Sequence, residues 1–161
     1  MKDYMTTIGA ERNKPDRIIL HAMGEYVKQP DGGVLYAPRH LIKGKVSCHA
    51  IITPTGDLIR MRNDDQNAWH GGAGIGGINN NINTLGVEFL LEGEWTYYGF
   101  LKRIKTDWLT PAQYITGVEL CKEWKRRWHI KDILRHSDVS PGRKFDPGDG
   151  FPYERFIGDV G

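Results

Sequence analysis

The chain has 161 residues, 39% of them hydrophobic and five of them tryptophan, enough for one sizeable core and too short for two ordinary domains. Its 22 basic and 20 acidic residues leave a formal charge of +2, a balance without a nucleic-acid footprint, although a mildly basic face still favours an anionic polymer. Met1 to Asp16 mixes Lys2, Asp3, Glu11, Arg12 and Lys14 with no apolar signal-peptide core, and no run of 18 apolar residues follows. The expectation is a protein made in the cytoplasm, with neither a secretory signal nor a membrane span. Cys48 and Cys121 do not amount to a disulfide framework, which points to a reducing compartment.

In chain order, Arg17-Ile18-Ile19-Leu20 predicts a short apolar strand with His21 at its end, a rim position from which a ligand can reach a cleft. Tyr26 to Lys45 carries Pro30, Asp31-Gly32-Gly33, Pro38 and Gly44 and predicts loop, with at most a short helix near His40. Val46 to Thr53 and Leu58 to Arg62 are β-rich runs around Pro54-Thr55-Gly56-Asp57, a hairpin turn. A glycine loop, Gly71 to Gly77, leads to three consecutive asparagines, and Leu85 to Leu91 is an apolar strand interrupted only by Glu88. Thr110-Pro111-Ala112-Gln113 combines an N-cap, a proline at the first helical position and a capping-box glutamine. The helix that follows sets Ile115, Val118, Cys121, Trp124 and Trp128 on one stripe, opposite Lys122, Lys125 and Arg126, and should pack on the sheet. No repeat or linker separates the pieces. The expected architecture is α/β, a single domain over residues 1–161 with a core from about 17 to 156 and a central mixed sheet flanked by helices.

Chemistry concentrates in the segment from His136 to Gly148, which holds an imidazole, the ammonium of Lys144 and the carboxylate of Asp146. A catalytic zinc is typically held by three protein ligands, so His136 and Asp146 supply two candidates and His21 the third. Such a His₂Asp site leaves the metal a strong Lewis acid, suited to amide hydrolysis. The alternative is that both histidines are core or capping residues and that Asp146 begins a turn with Pro147-Gly148. Lys144 and Asp146 are two apart, so an extended backbone sends both side chains to one face, where Lys144 can donate to a developing oxyanion; otherwise it is a solvated lysine. Glu88 stands among Val87, Phe89, Leu90 and Leu91. It is either a buried carboxylate with a raised pKa, apt for proton transfer, or a solvent-facing strand residue.

Other signals are rejected. Gly72-Ala73-Gly74-Ile75-Gly76-Gly77 matches a dinucleotide-loop spacing but follows no clean strand and leads into asparagines. Cys48 and His49 are adjacent, so a strand sends them to opposite faces and they form no catalytic dyad. His40 and His129 lack a second ligand nearby and are expected at the surface. Trp69-His70 has two readings, an aromatic face and an imidazole lining a substrate groove, or ordinary core.

Taken together, Ile19-Leu20-His21, Val46-Ser47-Cys48-His49, Ala68-Trp69-His70-Gly71, Asn81 to Glu88, and His136 with Arg143 to Gly148 resemble the type 2 N-acetylmuramoyl-L-alanine amidases, zinc enzymes that also resemble peptidoglycan recognition proteins. The resemblance runs in order from about Arg17 to Phe156. It implies one zinc per chain on His21, His136 and Asp146, with Glu88 as the catalytic carboxylate and Lys144 as the basic residue beside it. It places His49, Trp69, His70 and Asn81 along the substrate groove. The implied reaction cleaves the amide between N-acetylmuramic acid and L-alanine of peptidoglycan or a muropeptide, by a monomer that inserts in no membrane and binds no nucleic acid. Small phage lysozymes of the family use cysteine as third ligand and a tyrosine before the histidine of the second strand; here Asp146 and Cys48 stand there, which favours Glu88 as general base. The implied role is a phage-type endolysin, the alternatives being a cytoplasmic anhydromuramyl-peptide amidase of wall recycling or a recognition module that binds without cutting. The aromatic stretch from Gly93 to Trp108 is longer than the family pattern needs and is expected to form a substrate-selecting rim.

Overall fold

A computed structural model describes residues 3–161. Two long strands form its centre, β1 (Arg17–Lys28) and β5 (Thr84–Trp95), paired in parallel over nearly their whole length. Their first halves, Ile18-Ile19-Leu20 and Leu85 to Leu91, are near-continuous apolar runs because a parallel strand is covered on both faces. The rest of the six-stranded mixed sheet grows from this pair. The strand β2 (Val34–Tyr36) lies antiparallel to the end of β1. On the far side of β5, β3 (Ala50–Ile52) is parallel to it and β4 (Leu58–Arg60) forms an antiparallel hairpin with β3. Finally β6 (Asp132–Arg135) runs parallel to the first residues of β1.

Alternation along the central strands divides the interior in two. Ile18, Leu20 and Ala22 of β1, with Leu85, Val87, Phe89 and Leu91 of β5, face a large cluster completed by three helices: α2 (Tyr97–Arg103), α3 (Pro111–Arg127) and α5 (Tyr153–Val160). On the opposite face, Leu90 packs with Cys48, Ile51, Ile59 and Met61 beneath α1 (Ala37–Lys43). His21 and Glu88, register partners, alternate onto this second side, away from α3. The two cysteines are free, buried, and belong to different clusters. Among the described residues no helix is long and apolar enough to cross a membrane.

The helix expected after Thr110 forms with its full capping box. Thr110 Oγ1 accepts from the Gln113 N–H, and Gln113 Oε1 accepts from the Thr110 N–H. The same glutamine is wholly buried and donates to the carbonyls of Leu90 and Ile52, so the cap also ties α3 to the sheet. The predicted apolar stripe is half right: Val118, Cys121 and Trp124 are buried, whereas Ile115 is 64% exposed. Gly117 takes the inward place because α3 passes so close to β5 that a Cβ there would stand 2.7 Å from the Phe89 ring. Gly117→Val should therefore cost about 1–3 kcal/mol through overpacking, read as a lower urea midpoint. An unchanged midpoint would show that the helix does not rest on Phe89.

The sheet departs from expectation in its lengths. β1 continues beyond His21 to Lys28, so the histidine sits within the sheet and not at a strand end; Gly24 and Glu25, which break the apolar pattern, coincide with a register irregularity. Tyr26 to Lys45 is a hairpin and a helix, not loop, with Asp31-Gly32-Gly33 as the turn and Asp31 Oδ1 accepting from the Gly33 N–H. The β-rich run from Val46 yields only the three residues of β3, and Leu58 to Arg62 ends as strand at Arg60.

Candidate active site

Parallel pairing assembles the site. β6 lies beside β1 with Arg135 opposite Leu20, so the next residue, His136, arrives beside His21; β5, on the other side, sets Glu88 opposite His21. The three side chains form a row across adjacent strands. His136 opens α4 (His136–Val139), a short helix capped by Arg135 and Asp138, whose side chains are paired at 2.8 Å. Beyond it the chain turns back and delivers Asp146, whose carbonyl accepts from the Ser137 N–H. Arg143 Nη2 holds this turn against the glycine loop by donating to the carbonyls of Gly71 and Ala73 and to Ser140 Oγ, each at 3.0 Å.

His21, His136 and Asp146 are all buried, and one ligand atom from each lies within 4.8 Å of the others. The Nδ1 atoms of the two histidines are 3.0 Å apart, and Asp146 oxygens stand 3.4 Å from His21 Nδ1 and 3.2 Å from His136 Nδ1. His136 Nε2 faces the Gly71 carbonyl at 3.2 Å. A carbonyl only accepts, so that nitrogen carries the hydrogen and, in the neutral ring, Nδ1 is a bare lone pair. It points at a carboxylate and at another imidazole nitrogen. Acceptors facing one another in a buried pocket call for a cation between them, and two imidazoles with one carboxylate are the donor set of a three-ligand zinc site.

The electrostatics agree with a neutral His21 and an ionised Asp146. Burial, with His136 next, lowers the His21 pKa to about 4, against the pull of Asp146. Burial alone would raise the Asp146 pKa, but the adjacent His136 and His21 rings outweigh that and hold the carboxyl below the usual carboxylate range. Glu88 moves the other way: burial pushes its carboxyl well above the ordinary range, Asp146 adds to this, and Lys144 opposes it. Its Oε1 is 4.0 Å from His21 Nδ1, and its buried Oε2 has no hydrogen-bond partner among the described residues. Of the two readings of Glu88, the buried one holds.

A cleft of about 390 Å³ opens over this row. Glu88, Asp146 and Lys144 line it, while Phe145 between the last two is exposed, so the alternation expected of this segment is present. Trp69, 46% exposed, forms one wall, and Trp95, Thr96, Tyr97 and Phe100 of the aromatic stretch form another. Lys28, Val46 and Ser47 line it as well, none of them expected along the groove. His40, expected at the surface, is half-buried, accepts from Gln29 Nε2 through Nδ1 and lines the cleft; His129 is exposed as expected.

Three residues expected along the groove sit differently. His49 is fully buried and lines no part of the cleft: its Nδ1 accepts from the Gly86 N–H, its Nε2 donates to the Gln66 carbonyl, and burial holds its pKa at about 4. Asn81 also lies off the cleft, because Oδ1 accepts from the N–H groups of His70, Gly71 and Gly72 and so clamps the start of the glycine loop. His70 does line the cleft, but both its ring nitrogens are engaged, Nδ1 at 2.8 Å from His21 Nε2 and Nε2 at 3.0 Å from Thr84 Oγ1. Cys48 faces Ala50 and Met61, away from His49's partners, and forms no dyad.

A mixed sheet carries a buried two-histidine, one-carboxylate cluster at the foot of an aromatic-walled cleft, a candidate metal site. The profile of the N-acetylmuramoyl-L-alanine amidase family matches residues 11–149, and the chain belongs to that family. The 1,6-anhydro-N-acetylmuramyl-L-alanine amidase AmpD of Haemophilus influenzae is 30% identical over 119 residues, 72% of this chain and 59% of that protein. N-acetylmuramoyl-L-alanine amidase AmiD of Escherichia coli is 34% identical over 92 residues, 55% of this chain and 32% of its own. The chain thus spans less than two thirds of either relative. Its fold is shared by the crystal structure of a selenomethionine derivative of AmpD, with a TM-score of 0.73, 23% identity, and 99% of this chain and 94% of that one covered. AmpDH3 from Pseudomonas aeruginosa, solved with anhydromuramic pentapeptide, shares it at a TM-score of 0.67 and 20% identity over 96% of this chain and 62% of its own.

Proposed function

We propose that this protein is a zinc-dependent amidase that hydrolyses the bond between N-acetylmuramic acid and L-alanine in peptidoglycan or a muropeptide. One observation carries this reading: His21 Nδ1, His136 Nδ1 and the Asp146 carboxylate converge within 3.0–3.4 Å at the foot of the cleft, beside buried Glu88, whose Oε2 has no hydrogen-bond partner among the described residues. Bound there, zinc would supply Lewis acidity toward the scissile carbonyl and the attacking water. The remaining chemistry belongs to the chain's own residues. Glu88 takes a proton from the water as its oxygen attacks the carbonyl carbon; Lys144 donates to the oxyanion that develops; Glu88 then returns the proton to the departing L-alanine nitrogen as the carbon–nitrogen bond breaks. Trp69 and the Trp95–Phe100 wall offer apolar faces to sugar and peptide.

A test follows from this. Incubated with a muropeptide, the protein should release a peptide with a free L-alanine amino terminus, detected by mass spectrometry. Chelation should abolish the release and added zinc restore it. Cleavage that survives metal removal, or binding with no cleavage, would overturn the proposal, the second outcome in favour of a recognition module.

The site of action has two versions. The role expected from sequence is an endolysin acting on intact wall. A soluble anhydromuropeptide is the version favoured by the substrate that the name of AmpD specifies and by the anhydromuramic pentapeptide bound to AmpDH3. Clearing of a purified wall suspension, compared with turnover of soluble anhydromuropeptide, separates them.

A further inference from the structure

His70 lines the cleft yet has no nitrogen left for a substrate. Its bonds can be oriented from one end. Thr84 Oγ1 lies 2.7 Å from the Asn80 carbonyl and must donate to it, so the hydroxyl accepts from His70 Nε2–H at 3.0 Å. With its hydrogen on Nε2, the neutral ring of His70 presents Nδ1 as an acceptor. His21 Nε2, 2.8 Å away, therefore carries the hydrogen and donates it, which leaves the lone pair of His21 Nδ1 aimed at His136 and Asp146. Every link in this series, from the Asn80 carbonyl through Thr84 and His70 to His21, has only one consistent direction.

The seat of the ring is equally defined. His70 lies against β5 where that strand carries Gly86, and a Cβ at that position would stand 2.5 Å from His70 Nδ1, the atom that receives the His21 hydrogen. The backbone amide of His70 is fixed from the other side by Asn81 Oδ1 at 2.8 Å.

We infer that His70 and Thr84 are positioning residues for the metal: they lock His21 in the tautomer whose Nδ1 is free to ligate, while Gly86 leaves the space in which they do so. This rests on the zinc reading of the site. A ligand histidine whose other nitrogen loses its partner can present a hydrogen to the metal or rotate, and such outer partners typically weigh 10- to 100-fold in metal affinity.

The experiment measures zinc affinity by competition with a chromogenic chelator for the parent protein and three variants, with urea unfolding of the zinc-free forms alongside. His70→Phe, which keeps a ring and removes the acceptor, and Thr84→Val, which touches neither His21 nor the metal, should each bind zinc about 10- to 100-fold more weakly. His70→Asn, whose Oδ1 can stand in for Nδ1, should recover most of the affinity lost in His70→Phe. Parent-like affinity in His70→Phe, or equal losses in His70→Phe and His70→Asn, would overturn the inference alone. A parent protein that takes up no zinc would overturn the zinc reading and the inference with it.

Discussion

His136→Ala is expected to leave the protein folded, without zinc and without amidase activity. Elemental analysis should find about one zinc per chain in the parent protein and almost none in the variant. Structural zinc sites with four protein ligands bind with apparent free energies of roughly 10–16 kcal/mol, so one nitrogen ligand represents on the order of 2.5–4 kcal/mol. At about 1.4 kcal/mol per decade that is a loss of roughly 10²–10³ in affinity, enough to empty the site on dialysis. The fold should survive because the row of site residues lies apart from the apolar cluster under α3, and His136 is held by one carbonyl at Nε2 and its neighbours at Nδ1. Retention of full zinc content with activity lost would move His136 from ligand to a purely catalytic role.

Glu88→Gln should do the reverse. The amide fills the same space and cannot take a proton from water, so turnover should fall by roughly 10²–10⁴-fold while zinc content stays at the parent level. The fold should not suffer: the carboxylate it replaces is buried with Oε2 unpartnered among the described residues, and such a group opposes folding on the order of 1–3 kcal/mol. Parent-like turnover in this variant would assign the proton transfer elsewhere.

The metal-site candidates were legible because zinc chemistry restricts the side-chain types and because His136 and Asp146 share one short segment. The apolar runs of β1 and β5 and the cap of α3 were legible for a related reason, since each is decided within a few residues. What failed to read was decided over long distances. His49 looked like a groove residue, but its place is set by the amide of Gly86, 37 residues on, and by Gln66. Asn81 is likewise taken up by three amides of the glycine loop. Ile115 satisfies helical periodicity and still faces solvent, because the approach to Phe89 is so tight that glycine two residues later occupies the inward place. His70 was read as a residue for substrate, since nothing near it in sequence announces that both its nitrogens are spoken for by residues 21 and 84.

The parallel arrangement of β6, β1 and β5 also governs when the site comes into being. Parallel neighbours cannot be joined by a tight turn, and the two histidines that meet here are separated by 115 residues of chain. No local segment holds more than part of the cluster, so a growing polypeptide has nothing to offer a metal until Asp146 has been made and the last strand has docked. On the zinc reading, metal capture would then report completed folding rather than nucleate it. An ion that bound only the finished state would stabilise the whole fold by mass action, and its supply would tune how much intact protein persists.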